Sequence, residues 1–107
     1  MEENSKTGVE LIAEERQRQI EKEGWTPAHD DEHCDEELAR VAALYALPDY
    51  FRLKANGSNL IKIYPINSWA AEWWKPTPNN RIRELVKAGA LIAAEIDRLQ
   101  RLNPKSV

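Results

Sequence analysis

The chain has 107 residues, 42% of them hydrophobic and 31% charged, with a net charge of −3; that fits a single globular domain and excludes the broad basic field that holds duplex nucleic acid. The single Cys34 excludes an intrachain disulfide and a cysteine-only zinc site, and suits a reducing cytoplasm. No apolar run reaches the ~18 residues of a membrane span, and the polar start Met1–Asn4 carries no secretion signal, so a cytoplasmic protein without a membrane partner is expected.

Residues 1–6 are polar and are expected to fray. A helix is predicted from Thr7 to Glu23, ended by Gly24. The stripe through Val9, Ile12 and Ile20 also passes through Arg16, Gln19 and Glu23. Polar residues on a core stripe are the informative departure, although a helix that packs only by its first half explains them equally well.

Residues 23–33 hold both histidines, Trp25 and four carboxylates, Glu23, Asp30, Asp31 and Glu32. Such density suits a ligand, a metal or both. Thr26–Pro27 is an acceptable cap and first turn for a second helix; Asp30 or Asp31 serves as an alternative cap, with the helix starting near His33. From His33 to Leu47, Leu38, Val41, Ala42 and Tyr45 form one stripe, and Pro48 stops the run.

Residues 49–67 are read as an insertion, either a hairpin around Asn56–Gly57 or an aromatic-pinned loop. Trp69, Trp73 and Trp74, followed by Lys75, Pro76 and Pro78, form a rigid aromatic segment. It serves as a lid on a small core or as a stacking surface for a base, with Lys75 near its phosphate. The last helix is predicted from Asn80 to Leu102, before a tail at 103–107. Ile82, Leu85, Val86, Gly89, Ile92, Ala93, Ile96 and Leu99 follow a 3.6-residue period, with small residues at Ala88–Gly89–Ala90 for close helix approach. The expected fold is a mostly α single domain of three principal helices with a hairpin-like insertion. That stripe is more than two short helices cover, so a homo-oligomer is expected.

Four segments together resemble a family of small proteins from tailed phages and prophages: Glu15–Gln19, Glu23–Trp25 leading into His29–His33, Trp73–Pro76, and Leu85–Ile92 ending in Ala94–Ile96. This chain has Tyr64–Pro65–Ile66 where relatives often have Trp-Pro-Trp, and Glu36 where they often have glycine. In general appearance the chain also resembles the all-α nucleotide pyrophosphohydrolases of the MazG type, whose second helix carries metal-binding glutamates at the place of Glu36–Glu37. That resemblance implies a Glu-x-x-Asp pair on a later helix, where this chain reads Glu84–Leu85–Val86–Lys87, and lysine cannot ligate a metal. Either the site is rebuilt for Mg²⁺ or Mn²⁺ around His29, Asp30, Asp31, His33 and Glu37, or the scaffold holds a phosphorylated ligand without cleaving it.

The second option is favoured, with no metal or other cofactor: a nucleotide or cyclic-nucleotide-like small molecule is the expected partner. Arg16, Arg18, Lys75 and Lys87 would meet phosphates. Trp25, Trp73 or Trp74 would stack the base. Gln19, Glu23, His29, Asp30 and Asp31 complete the expected set. Among phages such capture would intercept a host defence signal, a step implied by the resemblance alone. The alternatives are a metal-dependent pyrophosphohydrolase and a protein-interaction module built on the tryptophans. Arg16 is equally expected to pair with Glu23 or Asp31 and hold the loop, and Cys34 is read as a small packing residue.

Overall fold

The computed structural model describes residues 6–32, 36–48 and 75–103, three quarters of them helical. The expected insertion at 49–67, Trp69, Trp73, Trp74, His33, Cys34 and the residues beyond 103 lie outside the described residues. Four helices follow in chain order: α1 Gly8–Lys22, α2 Pro27–Asp31, α3 Glu37–Ala46 and α4 Arg81–Leu102. Helices α1, α2 and α3 each pack on α4, which is therefore the spine. Among the described residues there is no strand and no helix long and apolar enough to cross a membrane.

Helix α1 begins where its cap lies. The Thr7 hydroxyl accepts from the Glu10 N–H, and the Glu10 carboxylate accepts from the Thr7 N–H at 2.8 Å. This reciprocal pair satisfies two amides that the first turn would otherwise leave bare. At the other end Gly24 takes φ +75, and the Gln19 carbonyl accepts from both the Glu23 and the Trp25 N–H groups. The chain thereby reverses and carries Trp25 back toward the helices.

The second helical stretch divides. Thr26 caps α2 through its hydroxyl, with Pro27 in the first turn, and α2 ends at Asp31. Helix α3 starts at Glu37, later than the expected start near His33, so the described residues hold four helices rather than three. Glu36 precedes it with φ 65 and ψ 23, the left-handed region, and its side chain makes no cap bond. A side chain in that region costs about 1 kcal/mol or more, which explains why glycine suits this position. The expected α3 stripe of Leu38, Val41, Ala42 and Tyr45 is buried throughout, against Ala88, Leu91 and Ala94 of α4 in the same core. Trp25 joins that core.

Helix α4 differs from expectation in which face it buries. Its buried residues are Glu84, Lys87, Ala88, Ala90, Leu91, Ala94, Glu95 and Arg98, while Ile82, Leu85, Ile92, Ile96 and Leu99 are exposed. The small residues of the inner face let α3 come close. Gly89 does the same for α1: a β-carbon there would lie 2.5 Å from Ile12 Cδ1. Arg81 ties the end of α3 to the start of α4, donating to the carbonyls of Tyr45 at 3.0 Å, Leu47 at 3.2 Å and Ala46. Carbonyls at the C-terminal end of a helix find no N–H further along it, and a cation there also favours the helix dipole.

Glu36→Gly is expected to raise stability by about 0.5–1 kcal/mol, the relieved left-handed strain being partly offset by the freer unfolded chain. Chemical denaturation of wild type and variant measures it; a loss of stability would contradict the strain.

Candidate functional site

Of the polar residues that interrupt the apolar stripe of α1 the fold buries Gln19, together with Glu15 beside the stripe. Glu15 and Gln19, one turn apart on α1, are both buried, and the Gln19 amide donates to Glu15 at 3.2 Å. Glu15 also accepts two bonds from Arg18, at 2.8 and 2.9 Å, and one at 2.7 Å from Arg83 of α4. Burial pushes the Glu15 carboxyl up, but these guanidinium bonds more than offset it and hold its pKa below the ordinary value. The bond to Glu15 in turn raises the pKa of Arg18. Gln19 is only 2% exposed, and its side-chain oxygen Oε1 has no hydrogen-bond partner among the described residues.

Lys87 enters the same cleft from α4. Its ammonium donates to the Lys75 carbonyl at 2.7 Å and lies 5.4 Å from the centre of the Tyr45 ring. Burial, followed by the charge of Arg83, lowers its pKa. The Lys75 N–H donates to the Tyr45 hydroxyl oxygen at 2.9 Å, and the Thr77 N–H donates to Glu84 at 2.9 Å. Residues 75–77 are thus strapped across the cleft by α3 and α4. The Lys75 ammonium reaches Glu23 at 3.4 Å, and Arg18 reaches the same carboxylate at 3.2 Å. Burial raises the pKa of Tyr45, against the bond from Lys75.

These residues surround a chamber of about 20 Å³, lined by Glu15, Arg18, Gln19, Glu23, Trp25, Tyr45, Lys75 and Lys87. That space suits one water molecule. Across Glu15 and Arg18 lies a wider groove of about 400 Å³ between α1 and α4, walled by Leu11, Ile82 and Val86, with Arg83 and Asn80 at its edge. Its size falls within the range of small-molecule sites.

A second polar cluster fixes the loop after α1. Arg16 donates to Asp30 at 2.7 Å and to the Trp25 carbonyl at 3.3 Å. The other Asp30 oxygen lies 3.1 Å from His29 Nδ1. The indole of Trp25 and the ring of His29 stack with centroids 5.8 Å apart and planes 5° apart. Asp31 lies apart from this cluster and pairs with Arg101 at 2.6 Å.

Of the expected ligand-binding residues, Arg18, Gln19, Glu23, Trp25, Lys75 and Lys87 line the one chamber. Arg16, His29 and Asp30 form the adjoining cluster behind Trp25. Arg16 pairs with Asp30 rather than with Glu23 or Asp31. Of the alternative metal set, Asp30 and Asp31 are engaged by Arg16, His29 and Arg101; Glu37 is buried on α3; His33 lies outside the described residues. No group of three such ligands converges among the described residues. Sequence reasoning missed Glu15, Tyr45 and Arg83 as site residues. The available signal was Arg83 one turn before Lys87, and Glu15 one turn before Gln19.

No family model, curated protein or solved structure significantly matches the chain.

Two outcomes follow from this geometry. Arg16→Ala leaves Asp30, which is 0% exposed, without its guanidinium, and a loss of about 3 kcal/mol is expected by denaturation, part of it recovered when Asp30→Asn is added. The Glu15 pKa is lower in the folded than in the unfolded chain, so its contribution is present at neutral pH and is lost as pH falls through the folded value. The stability gap between wild type and Glu15→Gln should therefore close below about pH 5, followed by thermal melts across the acid range.

Proposed function

We propose that the cleft between α1 and α4 captures a phosphorylated, nucleotide-like small molecule and holds it without cleaving it. The observation that carries this reading is local charge. Arg18, Lys75, Arg83 and Lys87 converge there from three separate segments against Glu15 and Glu23, in a chain whose net charge is −3. Glu14, at the outer rim of the groove, is matched by Lys6. An excess of donors that can reach one anion favours phosphate, because guanidinium and ammonium groups bind its oxygens directly.

In this reading phosphate meets Arg18, Arg83 and Lys75, and competes with Glu15 for the two guanidinium groups. Trp25 supports the wall instead of stacking a base, since it is only 5% exposed and already stacked on His29. Arg16 and Asp30 hold the loop that places Trp25. The hydrolase alternative asks more of the molecule, because Asp30 and Asp31 would have to leave Arg16 and Arg101 before ligating a metal. The resemblance to phage proteins supports sequestration of a host signalling nucleotide as the biological use. An interaction reading has one observation in its favour, the apolar stripe that α4 leaves exposed; self-association of the chain accounts for that stripe within the same proposal.

Titration calorimetry with mononucleotides and cyclic dinucleotides tests the ligand. At least one is expected to bind. Lys75→Ala removes an ammonium whose side chain is 56% exposed, so the melting temperature should hold while binding weakens by about 1.5–3 kcal/mol, the scale of a charged hydrogen bond. A folded wild type that binds none of the panel at high micromolar concentration would overturn the proposal.

A further inference from the structure

The outer face of α4 carries a pattern of which the ligand reading uses only Ile82. Ile82, Leu85, Gly89, Ile92, Ile96 and Leu99 recur at alternating spacings of three and four, the repeat of a helix-pairing seam. Ile82, Leu85, Ile92, Ile96, Leu99 and the nearby Leu102 are each between 43% and 70% exposed. Together they present on the order of 600 Å² of apolar surface, at the upper limit for the largest patch of a monomer and approaching the share of one partner in a specific interface. At Gly89 the seam has no side chain of its own, and Ile12 of α1 sits over the glycine.

We infer that this face is a self-association surface, on which a second copy of the chain lies antiparallel so that the two α4 helices pair about a twofold axis between Ala90 and Leu91. The order of side chains favours this partner and this direction. Reversed on itself, the seam sets Ile82 against Leu99, Leu85 against Ile96, and Gly89 against Ile92, so every position meets another position of the same seam. The bulk of Ile92 falls where the partner is smallest in its own helix, beside Ile12. Such self-complementarity is what a twofold interface requires. Antiparallel alignment also brings the N-terminal end of each α4 beside the C-terminal end of the other, which their dipoles favour. The surface lies away from the buried α4 residues Glu84 and Lys87, and of its residues only Ile82 also walls the groove. The inference deepens the self-association of the proposal above and does not depend on the ligand.

Light scattering and cysteine cross-linking in a Cys34→Ser background test it. Wild type is expected at twice the 12.3 kDa chain mass. Leu85→Cys alone and Ile96→Cys alone should form no intermolecular disulfide, since in this register each residue is ~16 Å along the axis from its own copy, beyond the ~7 Å reach between α-carbons. An equal mixture of the two variants should cross-link under mild oxidation, because Leu85 of one copy faces Ile96 of the other. Ile92→Gln with Ile96→Gln should give one chain mass with helical circular dichroism retained. Efficient self-cross-linking of either single variant would show a parallel pair and overturn the direction while leaving self-association standing. A wild-type mass of one chain at every concentration would overturn self-association itself.

Discussion

Buried charge on α4 is the constraint from which the rest of this structure follows. Glu84, Lys87, Glu95 and Arg98 all lie on the face that meets the other helices. A buried charge is tolerated only when its polar atoms are matched, so each of these residues dictates something about its surroundings. Glu95 and Arg98 answer each other through two bonds of 2.8 Å. Glu84 takes Arg81 and the Thr77 N–H, and Arg81 then closes the end of α3. Lys87 takes the Lys75 carbonyl. The approach of α3, the path of residues 75–77 and the position of Lys75 are therefore consequences of where α4 puts its charges.

The cleft inherits its chemistry from this arrangement. Glu15 is a buried carboxylate shared by guanidinium groups from two helices, so it joins α1 to α4 as well as lining the cleft. Networks of this kind are rigid when every member is matched, because in a low-dielectric interior each bond is strengthened and each omission is costly. The unmatched Gln19 Oε1 departs from that pattern, as does Nε of Arg16. Behind it, the pairing of Arg16 with Asp30 fixes the stacked Trp25 and His29 as a wall. The polar residues thus divide by position: one cluster holds the loop, and the other lines the cleft.

Much of the fold was legible because local chemistry and local structure coincide. The capping residues Thr7, Thr26 and Asn80, the glycine at position 24 and the regular stripe of α3 each act within a few residues of where they stand. Of the polar interruptions of the α1 stripe, Gln19 and Glu23 line the chamber, while Arg16 turns to the loop cluster. What periodicity could not assign was the partner of each polar group. Arg16 has Glu23, Asp30 and Asp31 all within reach along the chain, and only the turn at Gly24 followed by the short α2 selects Asp30. The division of α2 from α3 was equally hidden, because it depends on a left-handed residue at Glu36, a conformation that glutamate does not advertise.

By itself the sequence determined the helical class, the bounds of the first and last helices, and the co-occurrence of cations, carboxylates and tryptophan near residues 15–33. Those properties are set by caps, breakers and spacing. Tertiary structure alone decided which face of α4 turns inward. Hydrophobic periodicity selects the richer apolar stripe, yet the helix buries Ala88, Leu91 and Ala94 among charged residues and leaves Ile92, Ile96 and Leu99 outside. The physical reason is that small side chains allow close approach of α3, and that the matching partners for Glu84 and Lys87 come from segments distant in the chain, which no local pattern records.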